Sequence, residues 1–567
     1  MLKSFHYFRT LTVLVILTAI ISSCNNAPNK EQMNKEFKAF VAKFDSVYIP
    51  LSKAGNLAYW NASISGKQED WKKVDDISFK TNAIFANKED FNTLKRLKES
   101  KMITDEIPAR QLEVLYLSYL GSQVDTAKLN AITKMQTMIE QKYGNFRAIV
   151  GKDTLTDNMI EDVLKSSTDN QKLQDTWLAH KKIGPVVNQD IIKLVKLRNE
   201  LAKELGFNNY HEMSLKLSEQ DPTQIEKLFD QLDSLTRGSF IQVKSEMDDY
   251  FAKRYKIKKE DLMPWHYQNR YFQEAPKIYK VELDKYYKDK DLPKLTSTYY
   301  AGIGLPVDDI MKNSDLYEKK GKNQHAYCID INNEGDIRVL CNVKPNENWM
   351  GTLLHEFGHS TYDKYINIKL PYILRNPAHT FCTEAIAMMF GRLSSNPQWL
   401  KDMVGINDKE KAKIAEDSYK TLRLQQLVFS RWAQVMYRFE KSLYENPDQD
   451  LNKLWWDLVE KYQMVKKPVN RNEPDWATKI HIATSPCYYH NYLLGELLAS
   501  QLHHYICANI LKTEDWKNQS FVGNKEIGKY LIDKVYMPGE LYKWNDMIEK
   551  ATGEKLTPKY YANQFVN

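Results

Sequence analysis

The sequence predicts a mainly α-helical protein, a large bundle of two lobes around a deep cleft, with one small β-hairpin. Its 567 residues contain no Gly/Ser/Pro-rich linker, internal repeat or low-complexity block, so one large folding unit is expected. Apolar residues recur three and four positions apart, as in helices that bury one face, over residues 111–120, 129–143, 191–205, 225–255, 411–443 and 492–511. Strand signals are confined mostly to residues 325–343.

A hairpin is expected where two strand-like segments, 325–330 and 337–343, flank the turn residues 333–336, Asn-Glu-Gly-Asp. Closing the hairpin at this turn sets Cys328 opposite Cys341 and makes a disulfide between them a hypothesis. No cysteine pair has Cys-x-x-Cys spacing, so a cysteine-based zinc cluster is not indicated.

A metal-binding motif, His355-Glu356-Phe357-Gly358-His359, follows the hairpin. It continues a helical stripe that is expected to be core: Met350, Leu353, Leu354 and Phe357. Residues four apart lie on one helical face, so the two imidazoles can hold one tetrahedral Zn²⁺, with Glu356 beside the attacking water as general base.

Glu384 is the expected third zinc ligand. It lies in a second stretch with helical spacing, residues 380–390, after a loop that contains Pro371 and Pro377. A helix, a turn and a second helix would bring the carboxylate to the two imidazoles.

The N-terminus has the features of a processing segment. Lys3 and Arg9 precede an apolar run over 11–21, and Ser22-Ser23-Cys24 follows. This resembles a bacterial lipoprotein signal, with residues 1–23 removed, Cys24 lipidated, residues 24–31 as a tether and 32–567 as the catalytic domain. The protein would then be held in the bacterial envelope, on its periplasmic or cell-surface side. An ordinary cleaved signal peptide or a short membrane anchor is the alternative.

Further motifs point to a family. The segment 325–330 reads His-Ala-Tyr-Cys-Ile-Asp, residues 479–481 read Lys-Ile-His, and residues 489–492 read Tyr-His-Asn-Tyr. With the metal motif and the loop that leads to Glu384, they resemble the gluzincin peptidyl-dipeptidases related to angiotensin-converting enzyme. The loop length also suits the related thimet-type oligopeptidases. The resemblance spans most of the mature chain.

The resemblance implies roles for several residues. His325 and His481 would bind the carbonyl beside the scissile bond, and Tyr492 with His481 would stabilise the oxyanion. Further substrate contacts are implied for Ala326, which lines the cleft, for Lys479 and Tyr489, which would hold the terminal carboxylate, and for Gln268, matched one residue out of register to a family glutamine. Without the resemblance, His481 and Tyr492 could be core polar groups and Lys479 a surface residue.

Three positions depart from the family pattern. Met388 replaces an aspartate that supports a zinc-binding histidine, so another acceptor must orient His355, or zinc binds more weakly. Asn491 and Val459 replace two arginines of the family's chloride sites. Activity is therefore expected to be largely independent of chloride.

The expected function is zinc-dependent hydrolysis of oligopeptides with release of C-terminal dipeptides. Endo-acting cleavage of the thimet type is the alternative within enzymes, and an inactive homologue that keeps the zinc site is a further alternative. A lipoprotein that captures glycans on aromatic platforms is the alternative from another class, suggested by 34 Tyr and 12 Trp. Nucleic-acid binding is not indicated, because the net charge of +7, falling to +5 without Lys3 and Arg9, is small and dispersed.

Overall fold

The computed structural model describes residues 29–566. The predicted mainly α-helical fold is confirmed, and within these residues strands form two small antiparallel pairs. The helices are α1 (Lys30–Ser65), α2 (Gln68–Phe85), α3 (Lys88–Ser100), α4 (Glu106–Gly121), α5 (Thr126–Asn145), α6 (Asp157–Ser166), α7 (Asn170–Lys181), α8 (Ile183–Glu204), α9 (Tyr210–Leu217), α10 (Pro222–Tyr255), α11 (Asp284–Tyr287), α12 (Leu292–Gly302), α13 (Asp308–Asn313), α14 (Glu347–Tyr365), α15 (Thr380–Gly391), α16 (Pro397–Trp399), α17 (Asp408–Glu445), α18 (Leu451–Leu458), α19 (His481–Thr484), α20 (His490–Tyr505), α21 (Lys525–Leu531), α22 (Trp544–Thr552) and α23 (Lys559–Phe565).

The strands are β1 (Ala148–Val150), β2 (Asp153–Leu155), β3 (Tyr327–Asp330) and β4 (Ile337–Leu340). Short 3₁₀ turns cover Lys259–Asp261, Pro264–His266, Tyr372–Leu374, Arg392–Ser395 and Asp475–Thr478. Single π-turns cover Leu400–Val404, Val459–Gln463, Ile506–Leu511 and Ile532–Tyr536. The stretch predicted as one helix over 492–511 is therefore α20 followed by a π-turn.

Helix α14 carries the metal motif on a buried element. Asn346 caps its N-terminus, where the side-chain oxygen accepts the Trp349 backbone N–H at 2.9 Å. The side chains predicted as core, Leu353, Leu354 and Phe357, are fully buried. The histidines therefore lie on a helix whose opposite face is packed.

Helices α14 and α15 cross at a point where α14 has no room for a residue larger than glycine. A Cβ at Gly358 would lie 2.9 Å from the Cα of Ala387. Helix α15 also packs against α20, where a Cβ at Gly495 would lie 3.4 Å from the Cβ of Glu384. These close approaches bring α14, α15 and α20 together around one point.

The predicted hairpin exists, but its register differs from the prediction by two residues. Val339 lies opposite Cys328, and the strand ends before Cys341. Residues 341 and 343 do not pair with β3, because the backbone N–H of Cys341 donates to the backbone oxygen of Asp315 and that of Val343 donates to the backbone oxygen of Leu316. The pairing of Cys328 with Cys341 is therefore wrong, and both residues are free thiols in the structure.

Helix α1 lies against this hairpin. The Asn56 side-chain amide donates to the backbone oxygen of Asp330 at 3.0 Å, and Lys53 pairs with Glu334 at 2.7 Å. The helix begins at Lys30, two residues inside the segment assigned to a tether. The lipid-attachment residue Cys24 lies outside the described residues. Within residues 29–566, no helix is both long and apolar enough to cross a bilayer.

Candidate metal centre and active-site cleft

Three predicted ligands come together at the crossing of α14 and α15. The Nε2 atoms of His355 and His359 lie 3.2 Å apart. The Glu384 Oε2 atom lies 3.6 Å from the first of them and 3.8 Å from the second. In the described part of the chain, this is the group of three ligand residues that could hold a metal ion.

The donor set suits zinc. Two imidazole nitrogens and one carboxylate oxygen are the ligands of many catalytic zinc sites, which keep a fourth position open. With metal–ligand bonds of about 2.0–2.1 Å, neighbouring tetrahedral ligands lie about 3.3 Å apart. The separations among these three atoms are close to that value, so the residues present fit a zinc ion.

Burial changes the protonation of these ligands. It lowers the pKa of His355 to about 4 and that of His359 well below its usual value. It raises the pKa of Glu384 to about 7. Neutral imidazoles are the form that binds metal, and a bound cation would restore the ionised carboxylate.

Glu356, the predicted general base, is a buried carboxylate that lies next to a ligand on the same helix. It is 7% exposed, and burial together with the neighbouring Glu384 raises its pKa to about 8. The backbone N–H of Cys328 on β3 hydrogen-bonds its carboxylate and opposes that rise. The hairpin therefore lowers the pKa of Glu356 slightly from across the cleft.

Thr383 is an acceptor for His359, whereas the acceptor lost at Met388 was expected to be needed by His355. Its Oγ1 lies 2.7 Å from His359 Nδ1, so a ring whose Nε2 faces the metal position can donate its Nδ1–H to this hydroxyl. Thr383 immediately precedes Glu384 on α15. One short segment thus supplies a ligand and also orients a second ligand.

Lys479 lies in a cage of neutral groups. Its Nζ donates to Gln273 Oε1 at 2.6 Å and lies 5.1–5.5 Å from the ring centres of Tyr271, Trp432 and Tyr489. Burial lowers its pKa to about 8, assisted by the charge of Arg270. A buried ammonium with one neutral oxygen partner can accept a carboxylate.

Gln268 is not part of this cage, which corrects the prediction. Its Oε1 accepts the backbone N–H of Lys277, and its Nε2 contacts the Lys165 carbonyl at 3.4 Å. Gln268 has a positive φ of 59° and is buried, so it is part of the loop structure and does not line the substrate site. Gln273, five residues later, contacts Lys479 instead.

The predicted oxyanion residues lie beside this cage. The rings of His481 and Tyr489 are 5.4 Å apart, and Tyr489 is 5.4 Å from Tyr492. The His481 Nδ1 atom is buried without a hydrogen-bond partner among the described residues, and burial lowers the pKa of this ring to about 4. Glu384 is close enough to raise the pKa of Tyr492, after the larger effect of burial.

The three ligands and Glu356 line a cavity of about 590 Å³. Ala326 and the residues of β3 form one wall, and among residues 29–566 no strand pairs with the outer edge of β3. His325 is exposed at the start of this wall, ahead of β3, and is not among the cavity residues. Trp455 and Trp456 are buried at 4% and 3% exposure, so this pair offers no platform for a glycan.

Sequence reasoning missed Gln273, Thr383 and Asp363. Gln273 is the next glutamine after the one chosen, and Thr383 is adjacent to a proposed ligand. Asp363 follows His359 by four residues, so the helical period alone could have placed it in the cleft. The proximity of the first two to Lys479 and His359 is visible only in three dimensions.

The cleft of this helical fold contains a His-Glu-x-x-His helix and a downstream glutamate that completes the ligand set. This arrangement is typical of metallopeptidases. Residues 31–560 match the family model of angiotensin-converting enzyme, Peptidase M2. The chain therefore belongs to the angiotensin-converting enzyme family, and the resemblance drawn from its motifs is confirmed.

Curated relatives share low identity with the chain. Angiotensin-converting enzyme of Rattus norvegicus is 22% identical over 438 residues, covering 72% of this chain and 33% of that protein. The chain thus spans about a third of this longer relative. Angiotensin-converting enzyme of Haematobia irritans exigua is 23% identical over 458 residues, covering 73% of both chains. That of Theromyzon tessulatum is 24% identical over 279 residues, or 47% of this chain.

Proposed function

We propose that this protein is a zinc-dependent peptidyl-dipeptidase that acts on oligopeptides. The observation that carries the proposal is the approach of His355, His359 and Glu384 to within 3.8 Å of one another, beside a buried Glu356. The peptidase activity follows the family; the zinc ion, the base and the dipeptide product are inferred from these residues.

Zn²⁺ held by the three ligands would supply a polarised water and a polarised scissile carbonyl. Glu356 takes the proton of the attacking water and passes it to the leaving amine. Burial and the neighbouring Glu384 raise the pKa of Glu356 to about 8. A cation held by the three ligands would lower this pKa, so that the carboxylate is ionised and can accept a proton.

Tyr492 and His481 donate hydrogen bonds to the oxyanion that forms during attack. Each such donor contributes about 3 kcal/mol of barrier lowering in comparable sites. Lys479 binds the terminal carboxylate of the substrate, with Gln273 and Tyr489 holding the ammonium in place. Fixed spacing between this cation and the metal position would set the cut two residues from the C-terminus.

The test offers the zinc-loaded protein an N-terminally blocked decapeptide, with a free C-terminal carboxylate and as its amide, and follows the products by mass spectrometry. Sequential dipeptide loss from the acid and none from the amide is the expected result. Internal cuts in both peptides would assign the endo-acting thimet-type alternative. No cleavage by fully loaded protein would overturn the proposed activity.

Two variants test the residue roles. Glu356→Ala is expected to lose nearly all turnover while its zinc content, measured by atomic absorption, stays at the wild-type level. His359→Ala is expected to lose both metal and activity. Wild-type turnover in the first variant, or full metal loading in the second, would contradict the assignments.

Lipid attachment at Cys24 and an envelope location belong to the same proposal. They are supported by the charged start, the apolar run over 11–21 and the Ser-Ser-Cys sequence that follows. Detergent phase partitioning checks them: wild-type protein should enter the detergent phase and Cys24→Ser the aqueous phase. Equal partitioning would contradict lipidation.

A further inference from the structure

Asp363 is an acid without a cation partner in the active-site cleft. It lies one helical turn beyond His359 and lines the same cavity. Its polar contact is the Cys328 thiol, whose Sγ is 3.9 Å from Oδ2, and within residues 29–566 no Lys, Arg or His forms an ion pair with it. Burial and the charge of Asp330 raise its pKa to about 8.

The position is costly for the fold. Asp363 is in the last turn of α14, where the helix dipole favours positive charge. Asp330, from β3, adds a second carboxylate to the same cavity, and its Oδ1 is already bonded to the backbone of Asn332 and Asn333. Arg375, which also lines the cavity, is engaged by the Leu370 carbonyl at 2.9 Å and by Glu334. No structural role within the described residues offsets these costs.

We infer that Asp363, assisted by Asp330, is a specificity-determining residue that binds the basic side chain of an oligopeptide substrate. The inference rests on the proposed function, because it assigns a side-chain preference to the same cleft. The aliphatic stem of a lysine could lie along Ile329 and Ile366, which line the cavity, with its ammonium at the carboxylates.

The position of the basic residue relative to the scissile bond is inferred from where the acids and Lys479 lie in the cleft. Lys479, Gln273 and Tyr489 are outside this cavity, whereas Asp363 and Asp330 are inside it. With the terminal carboxylate of the substrate at Lys479, the acids would face the part of the substrate that precedes the scissile bond. Four helical residues advance about 6 Å from His359, and an extended peptide advances about 3.3 Å per residue. A substrate that runs along α14 would place its second residue before the scissile bond at Asp363.

The experiment compares three otherwise identical peptides with lysine, norleucine or glutamate at that position. Norleucine matches the lysine stem without its charge. For the wild-type protein we expect kcat/KM to be about tenfold higher for lysine than for norleucine, a difference of about 1.4 kcal/mol. In Asp363→Asn the ratio should fall to within twofold of one, and Asp363→Lys should prefer glutamate.

Asp336→Asn is the matched control. Asp336 is an acid of the hairpin that carries Asp330, but it lies outside the cavity and pairs with Arg338 at 2.8 Å. Removing its charge should therefore leave the ratio of kcat/KM for lysine to that for norleucine unchanged. A wild-type ratio below twofold, or a wild-type ratio kept by Asp363→Asn, overturns the inference and leaves the peptidase proposal intact. If zinc-loaded wild-type protein cleaves none of the three peptides, the proposed function fails, and this inference with it.

Discussion

The side chains around the candidate zinc site differ in what holds them. His359 has a hydroxyl acceptor at Thr383 Oγ1, 2.7 Å from its Nδ1, and Glu356 has a backbone N–H from Cys328. Lys479 has one neutral amide oxygen and three aromatic faces. These contacts fix the orientation of the three side chains and add little charge. A bound metal ion or substrate can therefore supply the charged partner that each side chain lacks.

Thr383 should determine how tightly the protein holds zinc. Thr383→Val removes the acceptor at nearly constant volume, and losing such a partner typically weakens metal binding about 10–100-fold. Competition with a chromogenic chelator measures the dissociation constant. Thr383→Ser keeps the hydroxyl and should remain near wild type. Equal zinc affinity in the valine and serine variants would show that this hydrogen bond does not support the site.

Lys479 should give the enzyme an alkaline limit that depends on the substrate's C-terminus. Its pKa is lowered to about 8, mainly by burial, so the ammonium is present below that pH and lost above it. The ratio of kcat/KM for a free-acid peptide to that for its amide should therefore fall as pH rises through about 8. In Lys479→Arg the ratio should stay flat there, because the guanidinium remains charged. A flat wild-type ratio from pH 7 to 9 would exclude Lys479 as the carboxylate ligand.

At the scale of elements, the site depends on how closely α14 and α15 cross. Glu384 reaches the two histidines because Gly358 leaves the Cα of Ala387 room against α14. The hairpin contributes from the other side, through the Cys328 backbone and the wall formed by β3. The catalytic geometry is thus a property of three packed elements.

Gly358→Ala should separate the two helices and weaken metal binding. The added Cβ would lie 2.9 Å from backbone, and overpacking of this kind costs about 1–3 kcal/mol. Zinc stoichiometry and the melting temperature are expected to fall together. Gly238→Ala is the control, because nothing lies within 4 Å of its Cβ and alanine in a helix interior is favoured by about 0.5–1 kcal/mol. Full zinc loading at an unchanged Tm in Gly358→Ala would contradict this account.

At the scale of the whole molecule, distant segments converge on the cleft. Lys479 and Gln273 are 206 residues apart in sequence, and the hydrogen bond between Asn491 and Gln220 spans 271 residues. The Asn491 Oδ1 atom accepts the Gln220 amide at 2.7 Å, and His490 contacts the oxygen of the same amide at 2.7 Å. Neutral groups therefore satisfy one another where the family places an arginine and an anion.

Activity is accordingly expected to change little with chloride. Val459, the second replacement, is buried and apolar and offers no donor to an anion. Exchanging acetate for chloride at constant ionic strength should alter kcat/KM by less than tenfold, or about 1.4 kcal/mol of coupling. A larger rise would require an anion site built from other residues. The measurement uses the zinc-loaded protein and the free-acid decapeptide.

The helical class, the metal motif and Glu384 were readable from the chain, because a helix has a local period that sets which residues share a face. His355, Glu356 and His359 lie within one turn and a half, so no distant contact is needed to place them. The hairpin was recognised from its turn, but its register was not, since bonds from residues 341 and 343 to Asp315 and Leu316 end the pairing early. Likewise Gln273, Thr383 and Asp363 acquire their roles from neighbours brought close by packing. The spacing of residues along the chain determines which side chains share one face of a helix. The register of the hairpin and the contacts across the cleft depend instead on residues far apart in sequence, which no short segment contains.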